Sequence, residues 1–399
     1  MDAQGGNPRS NGIPCPACGH REVVVFYEAS GVPVHSAVLL VSREVARHYP
    51  TGDIRLSFCA ACGFIFNRAF DAQRLAYNEH YDPTQAFSPT FNAFHRQLAQ
   101  HLIDRYGLRN RIVLEIGCGK GEFLSLLCRL GDNRGIGLDP CYVEDGSAAT
   151  PPGQVTFVRD FFSERYADCG ADVICAKMTL EHVPEVAAFI GSVRRVIGAR
   201  DTLVFFQVPA VTRILRDSAF WDIYYEHCSY FSGGVLAALF RRAGFSVIEQ
   251  WTDYDDQYVM LVARPAAGGG DAAGGEDLEE LRAAVTRFPA AYREKRAHWA
   301  GVVRQLVEAQ RRVVIWGAGS KAVAFLAALR LGDEIPFLVD INPRKHGTFL
   351  PGSGHEVVAP HRLSEYRPDT VILMNPIYLT EVERDLRQMG LSPDLVAVR

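Results

Sequence analysis

Short apolar runs separated by glycine turns and single acids set the rhythm of this chain. The clearest begins where Ile112, Val113, Leu114 and Ile116 lead to Gly117, Gly119 and Gly121, then to a helical run and a second strand closed by Asp139. Strand, tight turn, helix and strand with a terminal acid make the opening unit of a doubly wound α/β sheet. The alternation continues: Val155 to Arg159 ends at Asp160, Asp172 to Ala176 precedes M-T-L-E-H-V-P-E-V, and Leu203 to Val208 is closed by Pro209. Phe245 to Gln250 and Tyr258 to Arg264 predict a closing antiparallel pair. A helix from about Asn92 to Tyr106 leads into the first strand. Before it, Tyr77 to Phe94 is rich in aromatics and punctuated by prolines, so it cannot be one regular helix, and its rings are candidates for a pocket lining.

The pattern then breaks and restarts. Ala266 to Asp277 is a glycine-rich linker, Leu278 to Arg311 is charged and helical with an interruption expected at Pro289, and Arg312 to Leu326 repeats strand, glycine turn and helix ahead of a strand ending in Asp340. Towards the other end, strand-like Glu22 to Tyr27 and Ala37 to Val41 lie between two cysteine pairs. The expected division is a zinc-binding domain over 1–75, an α/β domain over 76–265, a linker over 266–277 and a second Rossmann-like domain over 278–399.

A formal charge of −4 and the absence of any basic block leave no footprint for nucleic acid or an anionic membrane. No apolar run approaches the length of a membrane span, and Met1 to Gly12 has no signal-peptide core, so a cytoplasmic monomer or homodimer acting on a small molecule is expected. Of ten cysteines, Cys15, Cys18, Cys59 and Cys62 form two C-x-x-C knuckles, each followed by glycine. Four thiolates on two tight turns predict a closed structural zinc site. Cys118, Cys128, Cys141, Cys169 and Cys175 read as small core or loop residues, and His20 and His35 as exposed bystanders.

The first glycine turn differs from a dinucleotide loop, because its third glycine falls one residue early and Glu122 enters the first helical turn. A carboxylate there repels a pyrophosphate but tolerates an adenosine ligand without phosphate. Asp139 is placed for ribose hydroxyls and Asp160 for the adenine amino group. S-adenosylmethionine meets that description, and E-I-G-C-G-K-G, beginning at Glu115, resembles the first motif of class I methyltransferases. Gly317, Gly319 and Ala322 fit dinucleotide spacing better, and Lys321, Arg344 and Lys345 offer positive charge to a diphosphate. The sharpest chemistry lies in W-D-I-Y-Y-E-H-C-S-Y-F-S, Trp221 to Ser232, which brings a histidine, an acid and phenols together directly after a strand of the cofactor domain.

In order, the paired knuckles, E-I-G-C-G-K-G, Y-E-H-C-S-Y-F-S, W-G-A-G-S-K and D-I-N-P-R-K-H-G-T-F-L-P-G-S closely resemble the three-domain bacterial C-methyltransferases, whose best known members methylate dTDP-linked 4-keto deoxysugars. The resemblance implies S-adenosylmethionine at the middle domain, zinc at the four cysteines and a small-molecule substrate, nucleotide-linked in the best known members, between the middle and C-terminal domains. It implies His227 as general base, with Tyr224, Glu226, His182 and Tyr81 around it. The expected reaction removes a proton next to a carbonyl, with Glu226 assisting His227 and a phenol such as Tyr224, or His182, holding the enolate oxygen. An N- or O-methyltransferase, a nicotinamide oxidoreductase using the Gly317 loop, and a non-enzymatic zinc-ribbon module are the alternatives.

Overall fold

The computed structural model describes residues 13–75, 81–144, 151, 153–266 and 278–399. Tyr77 to His80 of the aromatic segment, and the predicted linker beyond Ala266, lie outside the described residues.

Three sheets organise the chain. The first begins with β1 (Val23–Pro33), β2 (Thr51–Cys59) and β3 (Ile65–Asn67), an antiparallel meander whose second turn carries the second cysteine pair. The middle sheet contains β4 (Ile112–Ile116), β5 (Arg134–Leu138), β6 (Val155–Val158), β7 (Val173–Lys177) and β8 (Leu203–Pro209). After β9 (Ser229–Tyr230), it is completed by β10 (Phe245–Asp253) and β11 (Tyr258–Pro265). The strand order is β10-β11-β8-β7-β4-β5-β6, with β11 antiparallel to both neighbours as expected. The last sheet, β14-β13-β12-β15-β16, is parallel throughout and uses β12 (Val313–Trp316), β13 (Phe337–Val339), β14 (Glu356–Val358), β15 (Thr370–Leu373) and β16 (Asp394–Ala397).

Central parallel strands are covered on both faces and therefore read as continuous apolar runs rather than alternating ones. Val173 to Lys177 shows this, with every position buried. Because β4 is flanked by β5 on one side and β7 on the other, the chain reverses its direction of growth there, and a crevice opens beyond the ends of β4 and β7. Gly117 follows the first of these strands and the Met178 to His182 loop the second.

The domains are not strung as separate beads. β9 lies within the middle domain in sequence, between β8 and β10, but pairs with β3, Ile65 opposite Tyr230 and Phe66 opposite Ser229, and so becomes the edge of the N-terminal sheet. Ala219, Phe220 and Trp221 are buried in the core of the C-terminal domain, where Phe220 stacks on Phe325 with ring centroids 6.1 Å apart.

Three local expectations are corrected. Ala37 to Val41 is a loop carrying only single bridges, Val38 to Tyr81 and Leu40 to Phe349; the second strand is Thr51–Cys59. The charged helix runs unbroken from Leu278 to Glu308 through Pro289. Proline removes one helical donor, but Phe288 and Tyr292 on either side stack on each other and pack edge-on against Tyr27 of the N-terminal sheet, so tertiary contact overrides the local signal. His20 is exposed as expected, whereas His35 is buried against Tyr49 and Tyr81.

Candidate active site

The four knuckle sulfurs lie within 4.8 Å of one another, with Cys15 and Cys62 at 3.7 Å and Cys18 and Cys59 at 3.6 Å. Four thiolates about 2.3 Å from a tetrahedral ion stand roughly 3.8 Å apart, so the donor set fits zinc. Cys59 ends β2 and Cys62 sits just before β3. An ion held there would fix the turn between these strands, and through β3 the edge strand β9.

The glycine bend after β4 is built for close approach. Gly117, Gly119 and Gly121 have φ of 70°, 54° and 78°. A methyl group on Gly117 would stand 2.2 Å from the Thr179 hydroxyl, and one on Gly121 2.2 Å from the Phe157 ring. At Gly119 there is open space instead, where backbone borders the crevice. Asp139 accepts hydrogen bonds from the Gly119 and Cys141 N–H groups at 2.8 and 2.7 Å, and burial raises its pKa. Asp160 accepts from the Phe161 N–H at 2.8 Å and from Tyr166, while Phe161, 68% exposed, stands at the rim.

The crevice floor carries a polar group that sequence reasoning missed. Lys177, the last residue of β7, places Nζ 2.9 Å from His95 Nε2 and 4.1 Å from the centre of the Phe123 ring. Burial pulls its ammonium down to about 8 and pushes the neighbouring Glu115 carboxyl up to about 8. A lysine closing an otherwise apolar strand was the available signal, since that strand end faces the crevice.

The tyrosine-rich turn is gripped by all three domains. Asn67 donates to the Cys228 carbonyl at 2.9 Å, Val211 donates to that of Phe231 at 2.9 Å, and Ala219 to Trp221 anchor the other end. Within it, the His227 ring packs edge-on against Tyr224 and His182, at centroid distances of 4.8 and 4.9 Å. Burial holds His227 well below the usual imidazole range, assisted by His182 and Lys321, and holds His182 at about 4. Both rings are therefore neutral near pH 7.

The acids differ from expectation. Glu226 accepts from Tyr81 at 3.0 Å and from the Ser36 N–H at 3.0 Å and hydroxyl, so its carboxylate ties the turn to the N-terminal domain and the connector instead of contacting His227. The carboxyl nearest the imidazoles is Glu181, whose ligand atom lies within 4.8 Å of those of His182 and His227. It is 1% exposed, and both its oxygens lack a hydrogen-bond partner among the described residues. Burial pushes it up to about 8. Tyr224 donates its only phenolic proton to Asp222 at 3.0 Å.

One cavity of about 720 Å³ joins these parts. It is lined by Gly117, Gly119, Asp139 and Asp160 on one side, and by His182, Tyr224, Glu226, His227 and Tyr81 on the other. From the C-terminal domain Ser320, Lys321, Asp340 and Lys345 reach the same space. The charge expected for a diphosphate is already matched there: Lys321 pairs with Asp222, Lys345 with Asp340 at 3.1 Å, and Arg344 with Asp82 at 3.5 Å.

Residues 91–250 match the family described as a methyltransferase domain, and residues 275–391 the C-methyltransferase C-terminal domain. The chain is 27% identical over 386 residues to C-methyltransferase NovU of Streptomyces niveus, an alignment spanning 92% of this chain and 90% of that protein. Similar solved structures include the 1,6-didemethyltoxoflavin-N1-methyltransferase of Burkholderia thailandensis, 18% identical, covering 44% of this chain and 79% of that one with a TM-score of 0.35. Magnesium protoporphyrin IX methyltransferase of Synechocystis is 16% identical, covering 44% and 84%, also with a TM-score of 0.35.

Proposed function

Belonging to the bacterial S-adenosylmethionine-dependent C-methyltransferases, this chain, we propose, methylates a carbon next to a carbonyl in a small acceptor, with His227 as the base. The observation that carries the assignment of the base is the shared cavity: His227 and the Gly117 bend line one continuous space. Bound S-adenosylmethionine supplies an electrophilic methyl group on a sulfonium. What the protein supplies is a neutral, buried imidazole to take the proton, and a rigid frame that aligns the carbanion with the methyl carbon. Glu181 is the carboxyl close enough to respond when His227 becomes charged. Glu226, with Ser36 and Tyr81, closes the zinc domain over the turn, and Zn²⁺ at the four cysteines keeps that closure in register.

Since the cations of the second glycine loop already face carboxylates, the acceptor is defined here by its carbonyl, and a nucleotide carrier is the secondary part of the reading. A dTDP-linked 4-keto deoxysugar is the first acceptor to assay. In D₂O, with S-adenosylhomocysteine bound, the native protein exchanges the proton beside the ketone, and with S-adenosylmethionine it places a labelled methyl on that carbon. His227→Ala abolishes both while binding S-adenosylhomocysteine as before. Normal turnover by that variant would remove His227 from the mechanism.

A further inference from the structure

Removing a proton beside a carbonyl leaves negative charge on oxygen, and something in the cavity has to receive it. Tyr224 has one O–H, and that proton is committed to Asp222 Oδ1 at 3.0 Å. Lys321, the second residue of the helix Ser320–Leu329, reaches across from the C-terminal domain to the same Asp222 oxygen. An ammonium carries three donors, and this contact uses one. On its other oxygen Asp222 accepts from Arg213 Nη1 at 2.9 Å. Arg213 also faces Asp217 at 3.7 Å, so the charges of the cluster balance, and what it offers the cavity that holds His227 is the two remaining ammonium donors of Lys321; the Arg213, Asp222 and Lys321 side chains are 8%, 13% and 19% exposed.

We propose that Lys321 is a catalytic residue that donates a charge-assisted hydrogen bond to the acceptor's carbonyl oxygen, and that Asp222 positions it. The inference rests on the C-methylation reading above. The C–H bond breaks, its proton goes to His227, and the electron pair moves through carbon onto the oxygen held by Lys321. That pair then returns to re-form the carbonyl as carbon bonds to the methyl group, and the S–C pair stays on sulfur. Preorganised positive charge in a water-poor site is effective because it need not reorient as the oxyanion develops. The geometry is fixed by packing: Ala219 to Trp221, immediately before Asp222, belong to the core of the domain that carries Lys321. The helix that carries Lys321 and the turn that carries Asp222 are therefore held side by side.

The test uses 4-nitrophenolate as a stand-in for the enolate oxygen, titrated into the full-length protein saturated with S-adenosylhomocysteine and followed by its visible absorption. The native protein binds the phenolate, Lys321→Met weakens binding at least tenfold, and Lys321→Arg restores most of it, all with unchanged affinity for S-adenosylhomocysteine. Asp222→Asn, which keeps the lysine but releases it, weakens binding to an intermediate degree. No binding by the native protein, or equal binding by Lys321→Met, overturns the assignment. Should Lys321→Met also lose S-adenosylhomocysteine binding while Lys321→Arg fails to rescue the phenolate, the lysine is structural and the proposal fails. The position of a labelled methyl in the product tests the parent reading separately: methyl on nitrogen or oxygen removes C-methylation, while the phenolate result still reports on the anion site.

Discussion

The chain contains two strand, glycine-turn, helix, strand and acid units, and they are used differently. Their acids do the same local work: Asp139 accepts from the Gly119 N–H at 2.8 Å and Asp340 from the Ala318 N–H at 2.9 Å, so each clamps its own turn. Around the first turn three glycines have positive φ, and backbone borders an open crevice. In the second, Gly317 has φ of 103°, Gly319 is extended, and the following Lys321 reaches Asp222 of another domain with one of its three donors. The second unit fits dinucleotide spacing better, yet its charges brace the active-site turn. What a glycine loop does is decided by what packs across from it, which lies far away in sequence.

The most destructive way to test that division is to remove the zinc ligands. Changing both Cys59 and Cys62 to serine unpins β3 and with it β9, and a structural zinc site can represent roughly 10–16 kcal/mol of apparent binding free energy. The double variant should lose zinc by elemental analysis and fail to unfold cooperatively. A metal-free variant with native melting and native phenolate binding would detach the zinc domain from the site.

Next in size is a matched pair of glycine substitutions. Gly117→Ala places a methyl group 2.2 Å from Thr179 at a φ of 70°, and should weaken S-adenosylhomocysteine binding by about 100-fold, some 2.8 kcal/mol. Gly319→Ala meets nothing within 4 Å and has ordinary φ, so calorimetry should find binding unchanged. Equal losses in both would mean that the second loop shares in holding the cofactor.

How much of this was readable in advance follows from the range of each signal. The succession of strands in the middle sheet with its closing pair, the first glycine bend and the cysteine knuckles were legible because each is a local pattern of apolar runs, glycines or thiols. The partners of Glu226 were not: Ser36 is 190 residues away, and only the fold decides that the carboxylate faces the zinc domain instead of His227. The same holds for Lys321, read as a diphosphate ligand from its place at a helix start, and for His35, buried by a loop whose course composition does not encode. Pro289 shows the complementary case, a strong local signal overruled by the helix's own aromatics packing against Tyr27 of another domain.

The buried histidines give the comparison a pH axis. His182 is held at about 4 in the folded protein against 6.5 when exposed, so the unfolded chain binds its proton first as pH falls. Stability is complete above pH 6.5 and is lost progressively down to pH 4, by about 3 kcal/mol from this residue. His182→Asn should flatten that part of the melting profile. Glu181 works in the opposite sense: held at about 8, it favours the folded state at low pH and costs stability as pH rises from 4.5 to 8, which Glu181→Gln should abolish. Both effects belong to the first unit's crevice.

The smallest expected effect separates the two acids themselves. Asp340 accepts from the Ala318 and Asn342 N–H groups at 2.9 Å each and from Lys345 at 3.1 Å. Asparagine at 340 keeps one acceptor oxygen but loses the charge that holds Lys345, which at 14% exposure is partly shielded from water. A charge-assisted bond of this kind is worth about 1.5–3 kcal/mol, and some of it is recovered by hydration. Melting should therefore drop by a few degrees, with S-adenosylhomocysteine affinity unaltered. Asp139→Asn removes an equivalent clamp and should cost a similar amount of stability, but it also strips the negative charge beside the ribose position and should weaken cofactor binding about tenfold, near 1.4 kcal/mol. If the two asparagine variants behave alike towards S-adenosylhomocysteine, the distinction between a binding unit and a bracing unit fails, because Asp340 has Lys345 to hold where Asp139 is expected to meet the ligand.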